Sequence, residues 1–245
     1  MKKIFALIAI ASLMVVACGK QDDPKKPDNN NNEEGNEYVA PITIDGDFAD
    51  WAALDASKIQ TAVCAEETTK TDLKLMKVYA DAMFIYVYVE FNLSDYDPSD
   101  IGSTHFDFYI NGDNDKLTGG WNGSWDQGDT PCIDMFTQGQ IFDADGNVVD
   151  YAPGMYKYAG APNTSEWAWD DVSVEGFITG KGNKSAFEFS MCRELYPLGT
   201  IADTFTMGAD ILVNGWDATG ALPNAEMTDD TPSGQSDLLT VITNK

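Results

Sequence analysis

Met83-Phe84-Ile85-Tyr86-Val87-Tyr88-Val89-Glu90-Phe91 alternates almost without a break. An extended chain turns successive side chains to opposite faces, so Met83, Ile85, Val87, Val89 and Phe91 share one face. Phe84, Tyr86 and Tyr88 share the other. Both faces are apolar or aromatic, which predicts a central strand covered on both sides. Residues 73–79 form a second such run, and Ala80-Asp81-Ala82 between the two would serve as a tight turn. Working outward, residues 105–110 place Phe106, Phe108 and Ile110 on one side. Further short runs lie at 132–136, 140–142, 148–151, 155–158 and 172–178. Phe187, Phe189 and Met191 alternate, as do Phe205, Met207, Ala209, Ile211 and Val213, and residues 238–242 close the chain. Asp143-Ala144-Asp145-Gly146-Asn147 separates two of these runs. Its Asp-Gly supplies the positive φ of a hairpin turn, so it reads as a turn and not a metal site. Residues 191–197 could close one helical turn before Pro197. About a dozen short strands with no helix of convincing length predict an all-β fold, a two-sheet antiparallel β-sandwich.

The ends and the composition set the context. Lys2 and Lys3 precede an apolar run, residues 4–17, and then Cys18-Gly19. A charged start, a short apolar stretch and a small residue before cysteine form the layout of a secretory signal; the run is short for a membrane span. Residues 20–40 hold acids, prolines and the run Asn29 to Asn32. With so few side chains able to enter a core, ordering this segment would not be offset, and it reads as a disordered tether. The predicted organisation is therefore a signal at 1–17, Cys18 and a linker at 18–40, and one domain at 41–245. The formal charge is -25, and removing the leader takes away two lysines and no acid. Such a surface repels phosphate backbones and anionic headgroups, so nucleic acid is not an expected partner and any membrane contact would run through a lipid carried by Cys18 rather than through the surface. Beyond Cys18 lie Cys64, Cys132 and Cys192. An oxidising compartment would permit one disulfide and one remaining thiol, with the pairing open.

Three resemblances go further. Val15-Val16-Ala17-Cys18 resembles the lipobox of bacterial lipoproteins, which implies that Cys18 is acylated. The acidic residues after it resemble the surface-export signal of Bacteroidetes lipoproteins, which implies an outer-membrane protein exposed at the cell surface; a solvated periplasmic spacer is the other reading. Ile42-Thr43-Ile44-Asp45-Gly46-Asp47-Phe48-Ala49-Asp50-Trp51 resembles the opening of the family 9 carbohydrate-binding modules: a strand, an Asp-Gly turn, then an Asp-Trp pair. Residues 73–93 are similar to that family's hairpin, 106–120 to its strand and Asp/Asn-rich loop, and 187–193 to a later strand. The resemblance implies a β-sandwich of jelly-roll type, no catalysis, and calcium in several members. From the residues alone, Trp51 is expected to plug one end of the sandwich.

Candidate sites follow from chemistry. Asn111, Asp113 and Asp115 recur at every second position of a glycine-flanked loop, a spacing that can aim several oxygens at a hard cation such as calcium. Lys116 stands where a calcium hand needs glycine, and no glutamate closes the loop. A turn whose Asn and Asp side chains bond their own backbone is the equal alternative. Five tryptophans are candidates for sugar contact, because an indole offers a flat, rigid platform to the C–H face of a pyranose. Trp121 and Trp125 sit among glycines and polar residues, which predicts an exposed loop. Trp167 and Trp169 alternate, so they would point the same way on a strand, and Trp216 follows the 205–213 run. Core packing is the competing role for each. His105 is the sole histidine and is expected in solvent. No serine elbow, phosphate loop or HExxH is present, so no catalytic residue is assigned, although forty acids leave room for a glycosidase pair. The expected function is non-catalytic binding of a polysaccharide or oligosaccharide by a surface-anchored lipoprotein. The alternatives are a structural or adhesive protein holding a protein partner, and a glycoside hydrolase.

Overall fold

The computed structural model describes residues 38–66, 68, 70–121, 124–125, 132–193, 201–224 and 237–245. The leader, Cys18 and most of the tether lie outside these residues, as do 194–197 of the expected helical turn. The chain divides into two compact units, Met1–Thr43 and Ile44–Lys245. In the first, the described residues form neither helix nor strand. Every element below belongs to the second.

That unit is an all-β, two-sheet antiparallel β-sandwich. One sheet has the order β1-β2-β3-β9-β8, from Gln60–Val63, Leu73–Ala80, Phe84–Phe91, Ala186–Cys192 and Thr179–Gly182. The other has the order β11-β10-β4-β5-β6-β7, with β12 also paired to β10. Its strands are β4 His105–Asn111, β5 Met135–Gly139, β6 Gly154–Tyr158, β7 Trp169–Asp171, β10 Thr204–Leu212, β11 Ala218–Leu222 and β12 Leu239–Ile242. Strand β10 holds two partners on one edge, β12 along 204–207 and β11 along 209–212. The helical pieces are short: α1 Ala49–Ala53, α2 Pro98–Ile101 and a 3-10 turn at Ala56–Lys58.

The predicted alternation sets the inner faces. Ile85, Val87, Val89 and Phe91 from β3 meet Phe187, Phe189 and Met191 from β9, and Phe106, Phe108 and Ile110 from β4, in one core. Edge-to-face rings link the sheets, Phe108 to Phe189 at 4.7 Å and Phe106 to Phe187 at 4.9 Å. Tyr151 is sealed among them and donates its hydroxyl to the Phe106 carbonyl at 3.2 Å, as a buried phenol requires.

Some expectations need correction. Residues 42–44 form no strand, and Asp50 and Trp51 lie on α1. Trp51 does not plug an end of the sandwich. It lies beside Tyr88, at 5.7 Å, on the outer face of the five-stranded sheet. The cause is Glu188 on β9, which is fully buried and accepts from Trp51 Nε1 at 2.9 Å and from the backbone N–H of Gly46 and Asp45 at 3.0 and 3.2 Å. Residues 140–142, 148–151 and 172–178 are not strands beyond isolated bridges at Phe142, Val148 and Tyr151. The 132–136 run starts its strand only at Met135. Strands β1, β7, β8 and β11 are short or glycine-bearing pieces that alternation did not mark. The Asp143–Asn147 turn is as expected: Asp143 Oδ1 accepts the Asn147 and Asp145 N–H groups, and Gly146 takes φ +75°. Cys64, Cys132 and Cys192 are free thiols, so the permitted disulfide does not form among them.

Candidate functional site

The outer face of the seven-stranded sheet carries two rows of side chains set by register. In one row Asp210 of β10 stands directly opposite Asp107 of β4, and Asp107 directly opposite Gln138 of β5. In the next row Gly208, Tyr109, Phe136 and Tyr156 lie opposite one another across β10, β4, β5 and β6. Their rings form a ladder: Tyr109 stacks on Phe136 at 5.4 Å, and Phe136 on Tyr156 at 4.7 Å. An outer face this aromatic needs cover, and the tryptophans supply it.

Trp125 is the part of that cover that overturns an expectation. Read as an exposed-loop indole, it is 3 % exposed, packs on Tyr109 at 5.4 Å and donates Nε1–H to the Pro223 carbonyl at 2.8 Å. Gly208 makes the room, since a Cβ there would stand 2.6 Å from Trp125 Cζ2. Trp125 is therefore a packing residue. The glycines before Trp121 are also packing residues. A Cβ on Gly120 would lie 2.1 Å from the Tyr158 ring, and Gly120 exchanges two backbone bonds with Ile133. Trp121 itself holds φ +41°, a conformation unfavourable for a bulky side chain, and is secured by its N–H to the Thr164 carbonyl at 2.8 Å.

The remaining indoles converge. Trp167 and Trp169 do point the same way, onto Phe136 at 5.5 and 4.7 Å. Trp169 is half-buried, whereas Trp167 is 58 % exposed and meets Trp121 edge to face at 5.1 Å. Trp216, on the β10–β11 connection, is 76 % exposed and stacks on His105 at 5.8 Å. His105 and Tyr109 flank Asp107 on the same face of β4. Hence Trp216 and the Trp121–Trp167 pair stand on opposite sides of the polar row, their footings ~13 Å apart at strand rise. Between them runs a groove of about 480 Å³ that contains Asp107, Gln138, Ser124 and Asp210 together with Trp121, Trp167 and Trp216. This volume falls in the range of small-molecule sites.

The floor is electrostatically unusual. Asp107 is 1 % and Asp210 4 % exposed. Asp107 Oδ2 accepts from Gln138 Nε2 at 2.8 Å and, weakly, from Tyr109 Oη at 3.5 Å, while Asp210 Oδ2 accepts from Ser124 Oγ at 3.0 Å. The Oδ1 atom of each is buried with no hydrogen-bond partner among the described residues. Burial pushes Asp107 up to about 7, its bonds to Gln138 and Tyr109 opposing this. Asp210 rises well above the ordinary carboxylate range through burial first and the Asp107 charge second. Two facing buried carboxylates cannot both ionise cheaply, so the pair keeps a proton near neutral pH. Burial also lowers His105, which is half-buried and not in solvent as expected.

The loop after β4 is separate. Asn111 ends β4, is buried, and donates Nδ2–H to the Asp115 carbonyl at 3.4 Å. Asp113 Oδ1 accepts from the Asp115 N–H, and Asp115 Oδ1 from the Leu117 N–H, each at 2.8 Å. These carboxylates cap their own loop, the alternative that the spacing left open. Among the described residues no group of three or more Asp, Glu, His or Cys side chains is gathered for a metal, so the calcium expectation rests on the loop spacing and the family resemblance. A smaller groove of about 360 Å³ beside it includes Asp134, which burial and the nearby Asp113 raise to about 6.

Sequence reasoning missed Asp107, Asp210, Gln138 and Ser124. Asp107 was legible as the acid interrupting Phe106 and Phe108, but its pairing with Asp210 across 103 residues required the register. No protein-family model matches the chain, and no curated protein is significantly similar to it.

Proposed function

We propose that this protein binds a glycan without transforming it, as an exported lipoprotein acylated at Cys18 and held at the cell surface. One observation carries the reading: exposed indoles stand on both sides of a polar row in a single groove. Indole faces stack on the C–H faces of a pyranose ring, and Asp107, Gln138, Asp210 and Ser124 exchange hydrogen bonds with its hydroxyls. The resemblance of residues 42–193 to family 9 carbohydrate-binding modules points the same way, and calcium is not needed for this groove. A glycan array followed by titration of tryptophan fluorescence tests the reading. Saturable quenching by a saccharide supports it. Silence across plant, host and microbial glycans would favour an adhesive protein with a protein partner.

A second reading has its own observation. Asp107 and Asp210 are cross-strand partners, so two carboxyl groups stand side by side on the groove floor. Glycosidases use such a pair of acids, and one of the two keeps a proton as an acid catalyst must. Release of reducing ends from a polysaccharide panel, lost in D107N and D210N, would establish that reading instead.

A further inference from the structure

The acidic floor narrows what the groove can hold. Among the described residues its lining includes Asp107, Asp210 and Asp217 and no lysine, arginine or histidine. Lys70 Nζ comes only as near as Ser124 Oγ, at 3.4 Å, and His105, stacked on Trp216, is disfavoured as a cation by burial. Each floor carboxylate has one oxygen already satisfied and one buried oxygen with no partner among the described residues. A uronic acid or sulfated sugar would add an anion to this site and is repelled. A neutral hydroxyl brings one donor. An ammonium brings three donors and a full positive charge, and the indole faces around it add cation–π attraction.

Resting on the glycan reading above, we infer that the groove selects a saccharide bearing a free, protonated amine, an N-unsubstituted hexosamine unit, whose ammonium seats on the Asp107–Asp210 pair while its ring lies against the flanking indoles. An N-acetylated unit is excluded from this arrangement, since it is neutral and offers one N–H on a larger group. The groups facing the pair are Tyr109 on β4, Gln138 on β5, Ser124 and Lys70 beside Asp210, and Asp217 on the β10–β11 connection. Because the pair holds a proton near neutral pH, seating the ammonium expels it. Binding therefore releases protons to the buffer.

Isothermal titration near pH 6.5 in ~0.15 M salt, which screens the surface acids, separates the possibilities. The probes are a short glucosamine oligosaccharide, its fully N-acetylated counterpart and a glucose oligosaccharide of equal length. The glucosamine oligomer is expected to bind at least ten-fold tighter than either. Its enthalpy should differ between buffers of different ionisation enthalpy in the sense of proton release. The ratio should fall towards one in D107N and in D210N, and binding should weaken in W216A. Equal affinity for the glucose or N-acetylated oligomer would overturn the amine selectivity and leave the glycan reading standing. An amine preference that survives both asparagine variants and W216A would mark adventitious attraction to the acidic surface, and would overturn it too. Binding of none of the three, together with a silent array, would remove the underlying reading itself.

Discussion

Trp216 and Trp167 project from the sheet with most of their surface in water, so truncating them should remove the proposed sugar contact and little of the fold. W216A and W167A are each expected to lose ~1–3 kcal/mol of glycan affinity, about five- to 150-fold; W216A should leave the melting temperature unchanged, whereas W167A, which also removes ring contacts to Phe136 and Trp169, should lower it slightly. A titration beside a thermal melt of each variant checks this. Trp125 behaves oppositely. It is buried over Gly208, so G208A must displace the indole and should cost about 1–3 kcal/mol of stability, read by denaturant unfolding. The sequence around these rings misleads for a physical reason. Glycine next to tryptophan suggests an open loop, yet Gly120 is there because Tyr158 approaches the backbone too closely for a Cβ, and Gly208, distant in sequence, makes the same room for Trp125. Composition cannot separate a glycine that frees a loop from one that admits a ring. Trp216, with open space around Gly215, is the case in which the simple reading holds.

Strands of the core were legible because alternation is a local signal. Residues 84–91, 105–111, 186–192 and 204–212 all pair in the structure. Edge pieces such as β8, Thr179–Gly182, carry no such pattern and exist because β9 offers them a partner. The same holds for the opening segment, which gains its place from one buried acid far along the chain. Glu188 accepts three N–H groups there. Removing it leaves donors without partners, each worth up to ~1–3 kcal/mol. E188A is therefore expected to destabilise by about 3 kcal/mol, lowering the melting temperature by ~6–12 °C. E188Q, which keeps one acceptor, should lose about half of that. Differential scanning calorimetry of the two variants gives the comparison. In the loop after β4, Asp113 and Asp115 are occupied by backbone N–H groups, so calcium and a chelator are both expected to leave the melting temperature where it is.

At the scale of the molecule, the acids dominate the response to pH. Burial raises Asp107 to about 7, Asp134 to about 6, and Glu188 and Asp210 above their ordinary values. A carboxyl raised in the folded state holds its proton after the unfolded chain has released its own. The stability it contributes is fully present below the unfolded value near 4 and is lost as pH rises through the folded one. The melting temperature should therefore be higher at pH 5 than at pH 8, by on the order of 5 °C. The formal charge of -25 acts in the same direction through repulsion. Salt screens that surface contribution and not the buried one, so the difference should persist in high salt and shrink in D107N. The most direct measurement is a fluorescence titration of the wild-type protein and of W216A, W167A and L117A with an oligosaccharide selected on the array. Leu117 is an exposed side chain outside the groove. Saturable quenching of equal affinity in the wild type and L117A, and binding about five- to 150-fold weaker in each tryptophan variant, is the predicted result. No saturable binding, or affinity undiminished by both tryptophan substitutions, would contradict a glycan site between these indoles.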